Sequence, residues 1–213
     1  MLYSPPAFRE ADIGRLHAHI AATGFAAVIT VGRRGPIVSY VPLVLDTGVG
    51  PYGMLSGHLA RANPQWQESD LAVPAVAAFM GPDAYVSPGW YPSKQEHGKA
   101  VPTWNYSVVQ ARGRLEVIDD RDQLAAHVTA LTDKHEGRFA APWQVGDAPV
   151  DYIERQLRGI VGIRMVIDAL EGKAKLSQNR SAADQAGVVA GLQTSGQDRE
   201  RAVATLMERG EPR

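Results

Sequence analysis

The chain contains 213 residues, of which 45% are hydrophobic and 21% are charged. This balance is typical of globular proteins and excludes an intrinsically disordered chain. The 22 basic and 23 acidic side chains give a formal net charge of -1, which disfavours a protein whose main partner is the backbone of a nucleic acid. Cysteine is absent, so the sequence also excludes disulfides, thiolate nucleophiles and cysteine-bound metals.

Neither a membrane anchor nor a signal peptide is predicted. The apolar run over 25–31 is only seven residues long, whereas a membrane-spanning helix needs about 18 or more. The N-terminal sequence MLYSPPAFRE has an early proline pair and no apolar stretch of the kind that a signal peptide requires. We therefore expect a cytoplasmic protein.

The first predicted element is a helix over 11–22, where Ile13, Leu16 and Ile20 share one face and Gly24 follows the end. Short apolar runs bounded by turn residues come next, and each of them predicts a β-strand. These predicted strands cover 25–31, 36–46, 52–57, 73–80 and 101–118.

Helices and one further strand make up the rest of the chain. Leu124, Val128 and Leu131 form one stripe of a second helix, and a third helix follows Pro149. The later elements are a strand over 160–170 and helices over 182–192 and 198–209. Because the strands between 25 and 118 do not alternate with crossover helices, the sequence predicts a mainly β fold with flanking helices (α+β), such as an antiparallel barrel.

The long strand can be interpreted by its alternation. From residue 107 onwards apolar and polar side chains alternate, which assigns one set to a core and the other to solvent. The predicted core set is Val109, Ala111, Leu115 and Val117. The same alternation places Trp104 and Tyr106 on the polar face, where two large aromatics are expected to meet a ligand, another segment or another subunit.

Most motifs of known chemistry are missing. The sequence has no Walker A loop, no dinucleotide-binding glycine motif, no nucleophile elbow and no H-E-x-x-H motif. His17 and His19 are two residues apart on a predicted helix, and we interpret them as surface histidines. The cluster of Asp119, Asp120 and Asp122 is interpreted as a helix cap. No metal site is predicted.

One candidate site lies where a predicted strand leads into a helix, at the sequence GHLARANP over 57–64. Asn63 is a favourable N-cap and Pro64 a favourable first helical residue. A helix N-terminus offers free N–H groups, and Arg61 stands at its entrance, so the segment is a candidate phosphate site. The alternative is an ordinary capped surface helix with a solvated arginine.

Two further segments are candidates for ligand binding. Residues 85–106 combine three tyrosines and two tryptophans with prolines, which suits a flat apolar ligand. Residues 172–180 are rich in hydrogen-bond donors and cations, which suits an anionic ligand. The alternatives are an ordered loop that packs its aromatics onto the fold, and a solvated polar loop.

Four sequences in the chain together resemble the PaiB family, whose members are described as FMN-binding negative transcriptional regulators. They are LYSPPAF, GHLARANPQW, YVSPGWYPSK with VPTWNY, and EGKAKLSQNR. The resemblance covers almost the whole chain. It implies an antiparallel FMN-binding split β-barrel over 1–180, a C-terminal helical hairpin over 181–213, and a homodimer with flavin at the subunit interface.

The resemblance also implies a set of FMN-binding residues. The segment after the third strand would hold the phosphate, the preceding strand would pass the flavin ring, and the aromatic and C-terminal segments would approach it, the aromatic one from this or a second subunit. The residues so implied are Ser39, Tyr40, Val41, Pro42, His58, Leu59, Ala60, Arg61, Asn63, Trp104, Asn105, Tyr106, Lys175, Ser177, Gln178 and Arg180.

Two main functions follow from the resemblance: an FMN-binding regulator of the PaiB type, and an FMN-dependent oxidoreductase acting on a small acceptor. A lesser alternative is a flavin-free stress-related or haem-related protein on the same barrel. Residues 181–213 carry four basic and five acidic side chains, which disfavours direct DNA binding by the final helix pair. The sequence assigns no catalytic residue, since in a flavin enzyme the cofactor carries the chemistry.

Overall fold

The computed structural model of the protein describes residues 2–209, and these residues form mainly antiparallel β-sheets with flanking helices, as predicted. The strands are β1 (Arg9–Glu10), β2 (Phe25–Gly32), β3 (Gly35–Pro42), β4 (Val44–Asp46), β5 (Met54–Ala60), β6 (Ala75–Val86), β7 (Thr103–Gly113), β8 (Leu115–Ile118), β9 (Ile160–Val166) and β10 (Ala169–Lys175). The helices are α1 (Ile13–Thr23), α2 (Gln65–Glu68), α3 (Ser93–His97), α4 (Arg121–Glu136), α5 (Val150–Arg158), α6 (Ala182–Gln193) and α7 (Asp198–Glu208).

Contacts divide the chain into two compact units. The first unit combines the N-terminal residues up to Leu16, residues 80–109, and the chain from Glu171 onwards. The second unit combines residues 17–79 and 110–170. The boundary predicted between residues 180 and 181 falls inside the first unit, and residues 210–213 of the predicted C-terminal extension lie outside the described residues.

In the first unit the strand order is β1-β10-β7-β6, and Arg9 of β1 lies opposite Lys173 of β10. Helices α6 and α7 form the predicted hairpin and pack their apolar side chains against the sheet. The buried cluster consists of Ala84, Val86, Tyr91, Leu176, Val188, Leu192, Val203 and Ala204. The C-terminal helices are therefore part of a hydrophobic core.

In the second unit β6 pairs with β2 and β2 with β3, while a second sheet has the order β4-β5-β9-β8. The core side chains alternate along these strands, as the period of two requires. Helices α4 and α5 begin where they were predicted to begin, and Asp120 caps α4 by accepting the Gln123 N–H.

Three strands that the sequence predicted as continuous are interrupted. The strand over 36–46 ends at Pro42, and the Leu43 N–H donates instead to the Gly24 carbonyl at 2.7 Å, after which β4 joins the other sheet. The strand over 101–118 breaks after Gly113, where a Cβ atom would lie 2.0 Å from the Val166 carbonyl oxygen. The prediction of one strand over 160–170 was wrong, since β9 and β10 are separated at Ile167 and Asp168.

The alternation predicted along β7 and β8 is confirmed in part, because Val117 of the predicted core set is only partly buried and Val108, on the predicted polar face, is buried. Val109, Ala111 and Leu115 are buried, while Trp104 is 53% exposed and Tyr106 is half-buried. Among residues 2–209, no helix is both long and apolar enough to cross a membrane.

Candidate functional site

The segment that follows β5 is a tight turn rather than the start of a long helix. Helix α2 is a single turn of four residues. Pro64, predicted as the first helical residue, is the N-cap position of α2. Asn63 precedes it, and its Oδ1 accepts the Gln65 N–H at 2.9 Å while its Nδ2 donates to Ser39 Oγ at 2.8 Å. The predicted site residues Ser39 and Asn63 therefore lie together, but so short a helix does not offer the anion-binding N-terminus that the sequence predicted.

Arg61 lies in this turn, and its partly exposed guanidinium is hydrogen-bonded to other residues of the second unit. It forms an ion pair with Asp119, and it donates to the carbonyls of Arg158 (2.8 Å) and Ile160 (2.9 Å). The hydrogen bond from Arg61 lowers the pKa of Asp119, and the same bond raises the pKa of Arg61. At most one of the five N–H groups is left for a ligand, so the structure gives Arg61 a role in closing the turn.

The predicted ring-binding strand presents its residues alternately to two faces. Val41 is buried in the core of the second unit, so only its backbone is available to a ligand. Tyr40 is 69% exposed on the opposite face, and Pro42 ends the strand. Of the turn residues, Leu59 is buried and Ala60 is exposed.

His58 contacts a histidine that the sequence analysis did not single out. Its Nδ1 lies 3.1 Å from Nε2 of His127 on α4. Burial lowers the pKa of His58, and burial together with the charge of His58 lowers the pKa of His127 to about 4. The two residues are 69 positions apart, and the sequence carries no local signal that would join them.

Trp104 and Tyr106 project from the non-core face of β7 in the first unit, and Asn105 projects from the opposite, buried face. The Trp104 ring contacts the Tyr85 ring edge-on, with 6.1 Å between the centroids. The Asn105 amide is completely buried and bonds to Ser177 Oγ at 3.0 Å, and its Nδ2 also lies 3.5 Å from the sulfur of Met207. Trp104 and Tyr106 are thus placed to meet a ligand, whereas Asn105 holds the core together.

Several polar side chains of the donor-rich segment after β10 form hydrogen bonds within the protein. Ser177 is buried and adopts a positive φ of 65°, and its hydroxyl bonds to Asn105. The Gln178 side chain accepts from the Leu176 N–H and donates to the Ala174 carbonyl. The Arg180 guanidinium lies 4.9 Å from the centre of the Tyr91 ring. Composition alone had made this segment resemble a ligand loop, but Ser177 and Gln178 shape the turn.

Lys175 is the exception in that segment, and it lies beside Lys173, which belongs to the same predicted segment but was not among the implied FMN-binding residues. The Nζ of Lys175 donates to Thr103 Oγ1 at 2.7 Å and to the Trp104 carbonyl. Lys173 lies two residues earlier on the same strand, with its Nζ 5.3 Å from the Tyr3 ring centre and 5.2 Å from the Tyr106 ring centre. We call the group formed by Tyr3, Trp104, Tyr106, Lys173 and Lys175 the aromatic–lysine cluster.

Comparison with known proteins identifies the family. A family model described as "Putative FMN-binding domain" matches residues 2–169. The match covers most of the chain, so the protein belongs to this family of FMN-binding domains, and the predicted cofactor is confirmed at the level of the family.

The protease synthase and sporulation protein PAI 2 of Bacillus subtilis (strain 168) is 30% identical over 207 residues, which cover 97% of each chain. This similarity confirms the resemblance to the PaiB family. The uncharacterized protein AN0679 of Emericella nidulans is 34% identical, and the alignment covers 86% of this chain and 88% of that protein.

Among solved structures, the FAD and heme binding protein from Mycobacterium smegmatis matches with a TM-score of 0.58 at 19% identity. The match covers 84% of this chain and 78% of that one. At this identity the similarity concerns the fold alone. It confirms the split-barrel class that the resemblance implied.

Proposed function

We propose that this protein is an FMN-binding negative regulator of the PaiB type, in which the bound flavin is the regulatory element. The observation that carries the proposal is the match along nearly the whole chain to PAI 2, which is named as a protease synthase and sporulation protein. The first unit adds a physical reason, because its aromatic–lysine cluster offers exposed ring surface beside two cations. The absence of a membrane helix in the described residues is compatible with the cytoplasm, where we expect the protein to act.

The residues of the aromatic–lysine cluster fit a flavin. The isoalloxazine ring is flat and apolar on its faces, and an exposed tryptophan provides a stacking surface. FMN also carries a phosphate, which lysine ammonium groups bind. When bound, FMN supplies reversible electron transfer, and the chain would bind and orient it through Trp104, Tyr106 and Lys175.

The segment after β5 remains a separate proposal for cofactor contact. Its Ser39–Asn63 hydrogen bond fixes the distance between strand β3 and the turn. The backbone of 58–63 and the hydroxyl of Ser39 are the groups that would contact FMN there. Arg61 would support this contact indirectly, because its bonds to Asp119 and to two carbonyls hold the turn in place.

Regulation by this protein does not require the C-terminal helices to read DNA. Their apolar side chains are buried against the sheet of the first unit. Two of their arginines are already paired, Arg199 with Asp83 and Arg201 with Asp198. A surface with these neutralised charges is poorly suited to phosphate neutralisation, so we propose that regulation acts through the flavin or through a protein partner.

We also propose that the protein forms a homodimer through the outer face of β2 and β3. The outward side chains of these strands are all apolar, and Tyr40 and Val38 are exposed. Register places Val38 opposite Ile29 and Tyr40 opposite Ala27, which makes the patch continuous. An uncharged patch of this kind suits a second copy of the same chain, since a two-fold interface joins like surfaces.

The homodimer is tested with Val38→Lys. The variant is expected to sediment as a monomer at concentrations at which the native protein is a dimer, because each copy would bury an unpaired ammonium group in the interface. Replacing the exposed Val150, which lies on α5 outside this patch, with lysine is the matched control. A native protein that sediments as a monomer at tens of micromolar would refute the dimer.

Flavin binding is tested with Trp104→Ala. We expect the Kd for FMN to rise about tenfold, the loss of roughly 1.4 kcal/mol that aromatic stacking contributes. The Kd is measured by titrating FMN and following its fluorescence. Trp143→Ala, which removes another exposed tryptophan from the second unit, should leave the Kd unchanged.

The same variant tests the regulatory part of the proposal. If bound flavin is the regulatory element, transcript levels in cells that carry Trp104→Ala should rise for the same genes as in cells from which the gene for this protein is deleted. Unaltered repression with weakened FMN binding would separate flavin from regulation. Rapid oxidation of NADH by the FMN-loaded protein with a small acceptor would instead favour the alternative, an FMN-dependent oxidoreductase.

A further inference from the structure

Two lysines on one strand of the first unit form an unusual local environment. Lys173 and Lys175 are two residues apart on β10, so their side chains point to the same face of the strand. Lys173 is only 9% exposed, although lysine is rarely buried without a partner. Its Nζ donates to the Tyr3 carbonyl at 3.2 Å, which uses one of the three N–H groups of an ammonium.

Within residues 2–209 neither lysine forms an ion pair with a carboxylate. The nearest acidic group on the strand is Glu171, and its Oε2 accepts the Leu2 N–H instead. The pKa of Lys175 is lowered by burial first, and then by the positive charges of Lys173 and Arg180. A bound anion would relieve this repulsion, since an opposite charge favours the ammonium form.

Aromatic rings surround the same two ammonium groups. Tyr3 and Tyr106 flank Lys173, and the Phe8 ring centre lies 6.0 Å from Lys175 Nζ. Tyr3 is itself largely exposed, so one of these rings is open to solvent. Paired cations with adjacent ring surface are complementary to a group that joins a dianion to a flat ring.

We propose that Lys173 and Lys175 form an anion subsite that binds the phosphate of an aromatic phosphate monoester. Two sources of this group share the chemistry: the phosphate of FMN, and the phosphate of a separate small aromatic ligand. The first source rests on the proposed function, whereas the second does not. Lys173 is the residue that defines the subsite, because its ammonium is buried and has donors to spare.

The experiment compares FMN with riboflavin, which lacks only the phosphate, and adds phenyl phosphate as a probe of the second source. Dissociation constants are measured for the native protein and for Lys173→Met, Lys173→Arg and Lys175→Met. Phenyl phosphate binding is followed by calorimetry on flavin-loaded and flavin-free protein. Lys94→Met is the matched control, because Lys94 is an exposed lysine of the first unit outside the cluster.

If the phosphate of FMN is the bound group, the native protein prefers FMN to riboflavin by about tenfold or more, and both methionine variants lose most of this preference. Lys173→Arg keeps the positive charge, so this variant should retain much of the preference for FMN. The Kd for riboflavin should change by less than about twofold in every variant. Should Lys173→Met fail to fold, Lys175→Met carries the same test.

If a separate ligand is the source, the preference for FMN is unchanged in the variants, and phenyl phosphate binds the native protein but not Lys175→Met. The proposal is overturned if neither the preference nor phenyl phosphate binding depends on the two lysines. A native protein that binds no flavin would refute the proposed function alone, since the phenyl phosphate arm would still decide whether the subsite exists.

Discussion

Replacing Gly187 with alanine is expected to destabilise the protein by about 1–3 kcal/mol. Gly187 lies in the middle of α6, and a Cβ atom there would sit 2.0 Å from the Trp90 carbonyl oxygen and 3.2 Å from Pro92 Cδ. The obstacle at 2.0 Å is backbone, so it cannot rotate away, and the helix would have to move from its site. Val188 and Leu192 on the same helix are fully buried, and movement would disturb their packing.

Two effects of opposite sign compete in this substitution. Alanine favours a helix interior over glycine by about 1 kcal/mol. The steric cost must exceed this gain for the net effect to be destabilising, and a contact far inside van der Waals distance with an immobile atom provides that cost. The expected result is a lower urea midpoint with an unchanged slope.

Gly196→Ala is the matched control, because nothing lies within 4 Å of a Cβ atom at that position. Gly196 follows α6 in the same unit, and its replacement should change the urea midpoint of unfolding little. A Gly187→Ala variant as stable as the native protein would contradict the close contact between α6 and the Trp90 backbone. It would also weaken the conclusion that the C-terminal hairpin belongs to the hydrophobic core.

The periodicity of the sequence predicted the orientation of side chains correctly where one face of an element packs against a core. The alternation along 107–117 located Trp104 and Tyr106 on the exposed side of β7, because parity is a local property of a strand. The bounds of α6 and α7 were also predicted within a residue or two, since Ser181 provides a cap that accepts the Asp184 N–H.

Predictions failed where a distant segment determines the local structure. The apolar run over 160–170 contains neither glycine nor proline at its turn, and the chain turns there because the Asp168 N–H bonds to the Arg112 carbonyl. The ligand role of Arg61 stays a prediction, but nothing in the sequence indicated its ion pair with Asp119, which lies 58 residues away. Composition indicates which polar groups could bind a ligand, whereas only the fold shows which of them are already hydrogen-bonded within the protein.

The candidate site divides in the same way. Lys175 was singled out because it stands in a donor-rich segment, and it does lie beside an aromatic residue. Lys173 belongs to the same predicted segment, but nothing in the sequence indicated its contacts with Tyr3 and Tyr106, which are far from it in the chain. Likewise His58 was assigned to a phosphate turn, while its contact with His127 depends on where α4 crosses β5.

Acidification is expected to destabilise the second unit through the His58–His127 pair. The 3.1 Å contact between the two rings requires one nitrogen to donate and the other to accept. His127 Nδ1 is buried and has no hydrogen-bond partner in the described residues. A bare acceptor is less costly there than a buried N–H, so we infer that His127 Nε2–H donates to His58 Nδ1. Protonating both rings would place two donors face to face.

The direction of the pH dependence follows from the pKa values. The pKa of His127 falls from 6.5 to about 4 on folding, because burial and then the charge of His58 disfavour its cation. Below pH 6.5 the unfolded chain therefore binds a proton that the folded chain does not. The contribution of neutral His127 to the free energy of unfolding is therefore complete above pH 6.5, and it is lost as the pH falls towards 4.

The expected loss over this interval is about 1–2 kcal/mol. A shift of this size corresponds to about 3.4 kcal/mol for a fully buried group, and solvent screening reduces it because the ring is not fully buried. His127→Gln keeps an N–H donor for His58 but does not titrate. The free energy of unfolding, measured between pH 7 and 4.5, should therefore fall less steeply in this variant than in the native protein.

Comparing the two proteins is essential because carboxylates contribute to the acid response of both. The pKa of Asp119 is lowered by Arg61, so its ion pair also weakens in acid, but it does so equally in native protein and variant. His135→Gln, an exposed position on the same helix, should reproduce the native slope. Parallel pH profiles for the native protein and His127→Gln would show that protonation of His127 does not contribute to the loss of stability in acid.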